Sequence, residues 1–286
     1  MEEMMKTTKA EEDLVQAKEL VQAKMRREIT KLDDEELWAE FEPLEIDRIV
    51  SGEIKPKTLI SNCGWFHSPQ FRARGPLIVK EMLSVFPNST YIKWKRRWIP
   101  NSLKDLIRIA KERECTSLVL VDTNPLGHDE IYIVSLLNGA AAYFRIFNLI
   151  PREDIPDQAN PPTRLDPYVH MARFTSQAGL GLSRLIQSLF PKATHSRTNK
   201  PGQMNRAFFQ YQDGFVFYRH HWLRSEKAAL SEERPKLIRK EVGPSFQLLF
   251  KGVKKVSLDT GSLKLICMPP ASHYDYPERQ LMIPPI

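Results

Sequence analysis

Two segments of this 286-residue chain end a helix-like run in the same way: Met82-Leu83-Ser84-Val85-Phe86-Pro87 and Ile186-Gln187-Ser188-Leu189-Phe190-Pro191. In each, apolar residues at helical spacing lead into Phe and then Pro, which stops a helix because it lacks an N–H and its ring clashes with the preceding turn. Strand-forming sequence follows both times. Such an echo predicts an internal duplication, with two similar halves that each combine helix and sheet.

The pattern around the echoes is α/β. Thr58 to Ser61 reads as a short strand, and Gly75-Pro76 as the opening of the helix that Pro87 closes. Tyr91 to Trp94 reads as strand, Leu103 to Arg113 as an amphipathic helix, and Ser117 to Val121 as a buried β-branched strand. Ile131 to Leu137 and Ala142 to Phe147 form a hairpin around Asn138-Gly139. Pro151 to Pro167, rich in proline and without periodicity, reads as an interdomain connection or a long surface loop. The second half has a helix from Gly181 to Phe190, then strands at Arg206 to Tyr211 and Phe215 to His220 around Gln212-Asp213-Gly214. A polar loop from Arg224 to Pro235 leads to strands at Leu237 to Val242, Phe246 to Phe250 and Leu263 to Cys267. The expected division is an acidic helical extension (1–54), a body (55–270, halves about 55–155 and 165–270) and a tail (271–286).

The extension differs in charge from the body. Residues 1–54 hold 8 Lys/Arg against 16 Asp/Glu, whereas the whole chain carries a net +7, so the body is strongly basic. From Lys9 to Lys31 there is no Gly or Pro, and Leu14, Ala17, Val21, Met25 and Ile29 form one narrow helical stripe. A seam that thin builds no core of its own. It rests either on a partner, with Trp38 and Phe41 extending the contact, or on the chain's own body. Leu37 to Val50 mixes apolar and acidic residues, as suits an extended segment docked on a basic surface.

Catalytic chemistry finds little support. Gly179-Leu180-Gly181 begins like a dinucleotide fingerprint, but Arg184 stands where the third glycine is needed and no strand leads directly in. No Gly-rich loop ends in Lys-Ser or Lys-Thr. His220 and His221, adjacent on a strand, would point to opposite faces and could not converge on a metal. Cys63, Cys115 and Cys267 are too far apart for a zinc site. No catalytic residue, metal or cofactor is expected. No apolar stretch reaches the roughly 18 residues that cross a bilayer, and Met1 to Ala10 lacks the basic start and apolar run of a secretory signal. A soluble intracellular protein without a membrane partner is the expectation.

Cations interleaved with aromatic rings point instead to nucleic acid. Lys93-Trp94-Lys95-Arg96-Arg97-Trp98 carries four cations and two indoles, and Arg72, Arg74, Lys80, Lys104, Arg108, Lys111 and Arg113 surround it in sequence. Such a surface neutralises phosphates and offers rings for stacking on unpaired bases. The tryptophans equally suit a role as half-buried anchors. A second accumulation between residues 192 and 240 includes Lys192, Arg197, Lys200, Arg206, Arg219 and Arg224.

Taken together these pieces resemble the Brix domain family of ribosome-assembly factors. The matching segments are Pro56 to Ser61, Leu83 to Ser89, Thr116 to Val121, Asn138-Gly139 with Ala142 to Phe144, Phe174 to Ser176 with Gly179, Arg184 to Pro191, Phe215 to His221, and Glu241 to Pro244 followed by Phe246. They fall in family order across roughly residues 55–270. The resemblance implies two similar α/β halves with mixed sheets, related to anticodon-binding domains, that bind RNA without catalysis. It also implies a nucleolar location, pre-rRNA and small nucleolar RNA as partners, and other assembly proteins held by the extension through Leu14, Val21, Met25, Ile29, Trp38 and Phe41. Asn148 to Asp157, Phe215 to His221 and Glu241 to Pro244 look most like the branch in the U3 small nucleolar ribonucleoprotein of the small-subunit processome. Pro87 to Ser89 and Arg184 to Pro191 look more like the large-subunit ribosome production factors.

Some family positions differ. Ala140-Ala141 stands where Pro-Thr is usual, Gln177-Ala178 where Arg-Leu is usual, and Ser245 where an Arg commonly follows Gly-Pro. Two cations are thereby missing. Arg173, Arg184, Arg206 and Arg219 are the expected substitutes, beside Arg72, Arg74, Lys93, Lys95, Arg96 and Arg97, as RNA-binding residues.

Overall fold

The computed structural model describes residues 44–62, 69–93, 103–123, 127–160, 166–192, 203–226 and 236–267. Its strands are β1 (Thr58–Asn62), β2 (Ser89–Ile92), β3 (Ser117–Thr123), β4 (Asp129–Ser135), β5 (Ala140–Ile150), β6 (Tyr168–Ala172), β7 (Gln203–Gln212), β8 (Phe215–Glu226), β9 (Lys236–Glu241), β10 (Ser245–Val256) and β11 (Leu263–Cys267). The helices are α1 (Leu44–Ser51), α2 (Pro69–Val85), α3 (Leu103–Glu112) and α4 (Gln177–Gln187). All strands join one sheet in the order β2-β1-β3-β4-β5-β10-β8-β7-β6, with β9 alongside β8 and β11 alongside β10. Among the described residues no helix is long and apolar enough to cross a membrane.

The duplication is visible in the connectivity. β1 is followed by α2 and lies parallel to β3, which leads antiparallel through β4 to β5. β6 is followed by α4 and lies parallel to β7, which leads antiparallel through β8 to β10. β2 and α3 are additions to the first half. The expected halves are present, but their sheets run together. β5 and β10 pair antiparallel from Ile150 with Ser245 to Ala140 with Lys255, which relates the halves by a rough twofold axis.

Alternation along the strands decides which face each helix covers. Ile60, Val119, Val121, Ile131, Ile133, Phe144 and Ile146 share a core with Ile78, Met82 and Val85 of α2 and with Leu182, Leu185 and Ile186 of α4. The intervening residues Leu59, Leu118, Leu120 and Val134 pack with Leu106, Ile107 and Ala110 of α3 on the opposite face. The two Phe-Pro echoes meet at the axis. Phe86 and Phe190, each just beyond its helix, pack edge to face with centroids 5.8 Å apart. Phe190 in turn meets Phe209 at 5.7 Å.

Several expectations need correction. Leu44–Ser51 is helical, not extended: Ile46 and Ile49 recur at helical spacing, are buried, and sit where α1 packs on α4. Lys192 Nζ donates to the Ser51 carbonyl at 2.9 Å and ties this helix to the body. α2 begins at Pro69 and contains Pro76. Arg72 and Pro76 are both exposed, so the carbonyl deprived of its helical partner can be hydrated. β6 carries no strand signal in the sequence, and β8 runs on to Glu226, into the loop expected from Arg224 to Pro235. The turn between β7 and β8 follows its residues closely: Asp213 (φ 50°) and Gly214 (φ 80°) give the two left-handed positions of a tight hairpin. The Pro151–Pro167 connection starts folded, with a 3-10 turn at Arg152–Asp154, buried Ile155, and Ala159 N donating to the Glu241 carbonyl at 2.9 Å.

Candidate nucleic-acid interface

α2 and α4 occupy one face of the sheet, and α3 covers only the β1-β3 end of the other. Over β5, β10, β8 and β7 no helix lies on that second face among the described residues. The side chains that alternate onto it are rings and cations. Tyr132 and Tyr143, opposite each other in the ladder, stack at 5.3 Å with planes 10° apart. Lys254 Nζ lies over both, 4.5 Å from the Tyr143 centroid and 5.5 Å from that of Tyr132. Arg145 lies 4.5 Å over the Phe147 ring, which meets Phe215 at 5.9 Å. Further along, Phe208 pairs across the ladder with Arg219 on one side and with His170 on the other, whose ring stacks on it at 5.2 Å. Arg206 is flanked in the same way by His221 and Tyr168.

The cations on this face outnumber the acids and crowd one another. The pKa of Lys251 is lowered, first by burial and then by the charge of Arg145. That of His221 is lowered by burial and by Arg239, with Arg219 and Arg206 adding to the effect against Glu241. Arg219 Nη1 is held by Glu241 Oε1 at 2.7 Å, both side chains about three-quarters covered. Lys251 and His221, whose protonation the neighbouring arginines oppose, gain when a polyanion arrives. The half-buried rings of Tyr132, Tyr143, Phe147 and His170 are placed to stack on bases, while Phe208 and Phe215 are buried beneath the face.

Asp122 lies at the end of this face, across the ladder from Glu130. Its Oδ1 accepts from Thr123 N at 2.9 Å, yet burial pushes its pKa up to about 7. The folded chain keeps this proton to about pH 7, while the unfolded chain releases it near the ordinary carboxylate value. Stability therefore falls from about pH 4 to pH 7 on this account and levels off above. Asp122→Asn, which keeps the acceptor, is expected to raise stability by about 1–2 kcal/mol at pH 8. Melting scans across the range should show the gain vanish near pH 4.

Of the residues expected to meet RNA, Arg206 and Arg219 come together on this face. Arg173 follows β6 in a left-handed conformation (φ 62°), where its Nη1 donates to Gln212 Oε1 at 3.3 Å. Arg184 lies on α4, in the helix layer behind the sheet. Arg72 and Arg74 are on α2, where Arg74 pairs with Asp129 at 2.6 Å. Lys93 is exposed just beyond edge strand β2. Lys95, Arg96 and Arg97, and the partner-binding residues Leu14, Val21, Met25, Ile29, Trp38 and Phe41, lie outside the described residues. Sequence reasoning missed Arg145, Lys251, Lys254 and Arg239. They are scattered along the chain, and only strand alternation and the β5-β10 pairing place them side by side.

Among the described residues no three His, Cys, Asp or Glu side chains are grouped to hold a metal ion. His220, on the helix-bearing face, is buried and bonded through Nε2 to Asn205 Oδ1 at 2.6 Å, apart from His221 on the open face. Cys115 is a buried free thiol, its pKa raised by that burial.

Comparison with known proteins fits this architecture to a family. The profile of the Brix domain matches residues 70–250, well over half of the chain. The chain belongs to the Brix domain family. Its Brix relatives work in ribosome biogenesis by name. "Probable ribosome production factor 1" of Drosophila melanogaster is 24% identical over 245 residues, covering 85% of this chain and 57% of that protein. "U3 small nucleolar ribonucleoprotein protein IMP4" of Bos taurus is 27% identical over 220 residues, covering 76% of this chain and 63% of that protein. The Brix chain described here thus spans under two thirds of the length of these relatives. A crystal structure of a probable ribosomal biogenesis protein from Aeropyrum pernix K1 aligns with 68% of this chain and 95% of its own, at 12% identity and a TM-score of 0.39.

Proposed function

We propose that this Brix protein is a non-catalytic RNA-binding factor of ribosome assembly, acting in the nucleolus. Precursor ribosomal RNA lies on the open sheet face while assembly proteins take the acidic extension through Leu14, Val21, Met25, Ile29, Trp38 and Phe41. The observation that supports this most is the face itself, where Lys254, Arg145, Arg206, Arg219 and Arg239 alternate with stacked rings. A protein scaffold that binds acidic proteins would need the cations but not the flat rings.

Within ribosome assembly, the motif likenesses at Asn148 to Asp157, Phe215 to His221 and Glu241 to Pro244 favour the U3 branch, with small nucleolar RNA as a second partner. The similarity to ribosome production factor 1 over 85% of the chain favours a large-subunit role as the second reading. Crosslinking in cells followed by sequencing of the attached RNA separates them. Small-subunit spacer together with a small nucleolar RNA is the expected result, and large-subunit precursor alone would reverse the choice. Recovery of no RNA, with acidic proteins copurifying, would establish the scaffold instead.

A further inference from the structure

On the helix-bearing side a cleft of about 530 Å³ opens where the two halves meet. One wall is the end of α2 and the turn after it, including Ser84, Phe86 and Pro87; the other holds Asn205 of β7 and His220 of β8, with Arg152 between them. Its volume suits a ligand the size of a mononucleotide. The cleft is also where unsatisfied polar atoms gather. Arg152 Nε, in one of its lining residues, is buried without a hydrogen-bond partner, as is the hydroxyl of Tyr218 nearby, while the His220 ring beside them is held by Asn205 and by the Gly243 backbone. Buried polar atoms are paired in more than about 90% of cases, so such a group at one cavity marks a place for ligand atoms. His220 is only 7% exposed, and burial beside Arg152 takes its pKa down to about 4, so it presents a neutral ring.

The chemistry of the lining is specific. Arg152 offers a cation for a phosphate, the hydrogen-bonded pair Asn205 and His220 an uncharged polar edge, Asp166 an acid at the rim, and Phe86, Pro87 and Val242 apolar contact. A free phosphate would leave most of the volume unused, and an acidic peptide would find one cation. We propose that this cleft takes one unstacked nucleotide, its phosphate at Arg152 and its base edge toward Asn205 and His220. The assignment rests on the RNA-binding reading above and extends it to a particular site. The route is short: on β7, Arg206 faces the open side and its neighbour Asn205 the cleft, and on edge strand β6 the exposed Tyr168 adjoins Asp166 and Pro167 of the cleft rim. A strand of RNA passing round that edge can touch both.

Titration calorimetry of the full chain with AMP, GMP, CMP, UMP and inorganic phosphate tests this. At least one nucleotide is expected to bind at least tenfold tighter than phosphate. Arg152→Gln, and Ser84→Trp, which fills the cleft from α2, should each weaken that binding at least tenfold while the melting temperature holds. If Ser84→Trp does not fold, Asn160→Trp on the exposed rim replaces it. The site is overturned if no nucleotide binds while the chain still retains RNA on a filter, if phosphate binds as tightly as every nucleotide, or if the cleft variants bind normally. Nucleotide binding by a chain that retains no RNA would instead keep the cleft and remove the RNA-binding reading.

Discussion

Phe190→Ala is expected to destabilise the protein by about 3–5 kcal/mol and to lower Tm by roughly 10–15 °C. The Phe190 ring is 2% exposed and meets Phe86 and Phe209 edge on, at 5.8 and 5.7 Å. The contacts continue from Phe209 to Tyr218 at 4.8 Å and from Tyr218 to Phe246 at 4.7 Å, linking both halves at the axis. Alanine would leave a cavity that neither helix end can close, because each is followed by a proline. Phe190→Leu, closer in volume, should cost roughly 1–2 kcal/mol. A double-mutant cycle with Phe86→Ala, followed by urea unfolding, should return a coupling of about 0.5–1.5 kcal/mol. Strict additivity of the two substitutions would mean that the rings are neighbours without being partners.

The second large effect concerns RNA. Replacing Lys251, Lys254 and Arg239 together by Ala is expected to weaken binding to single-stranded RNA about 100-fold at 0.1 M salt, because each lost phosphate contact lowers the slope of log K against log salt by about 0.7. The slope itself should fall by about 2, read from filter binding at several salt concentrations. Folding should survive, since the Lys254 contact with Tyr143 contributes about 0.5–1 kcal/mol. An unchanged slope would remove the open face from the interface and return attention to the basic run of Lys93 to Arg97.

Most of the strands, both long helices of the repeat and the duplication itself were legible in the sequence, because hydrophobic period, turn residues and helix-stopping prolines are local signals. Asp213-Gly214 announced its hairpin. α1 is hidden in the sequence because acids around Ile46 and Ile49 mask a helical spacing, and β6 because five residues on a half-exposed edge carry too little pattern. Gly75-Pro76 signals a helix start because a proline is the usual mark of a first turn, whereas α2 begins at Pro69 and carries Pro76 inside it. The candidate interface was the least legible. Arg206 and Arg219, near in sequence to the missing family arginines, share a face. Lys254 comes beside Tyr132 and Tyr143 only through a pairing that spans more than a hundred residues, which no local signal encodes.

The seam between the halves has an implication for ancestry. β5 is 11 residues long and β10 is 12, and each uses one long edge on the other. A half standing alone would expose that edge, and its best-fitting cover would be a second copy of the same half, arranged about the same axis. The present chain therefore reads as two copies of such a half in covalent continuity, each with additions of its own, β2 and α3 in the first and β9 and β11 in the second.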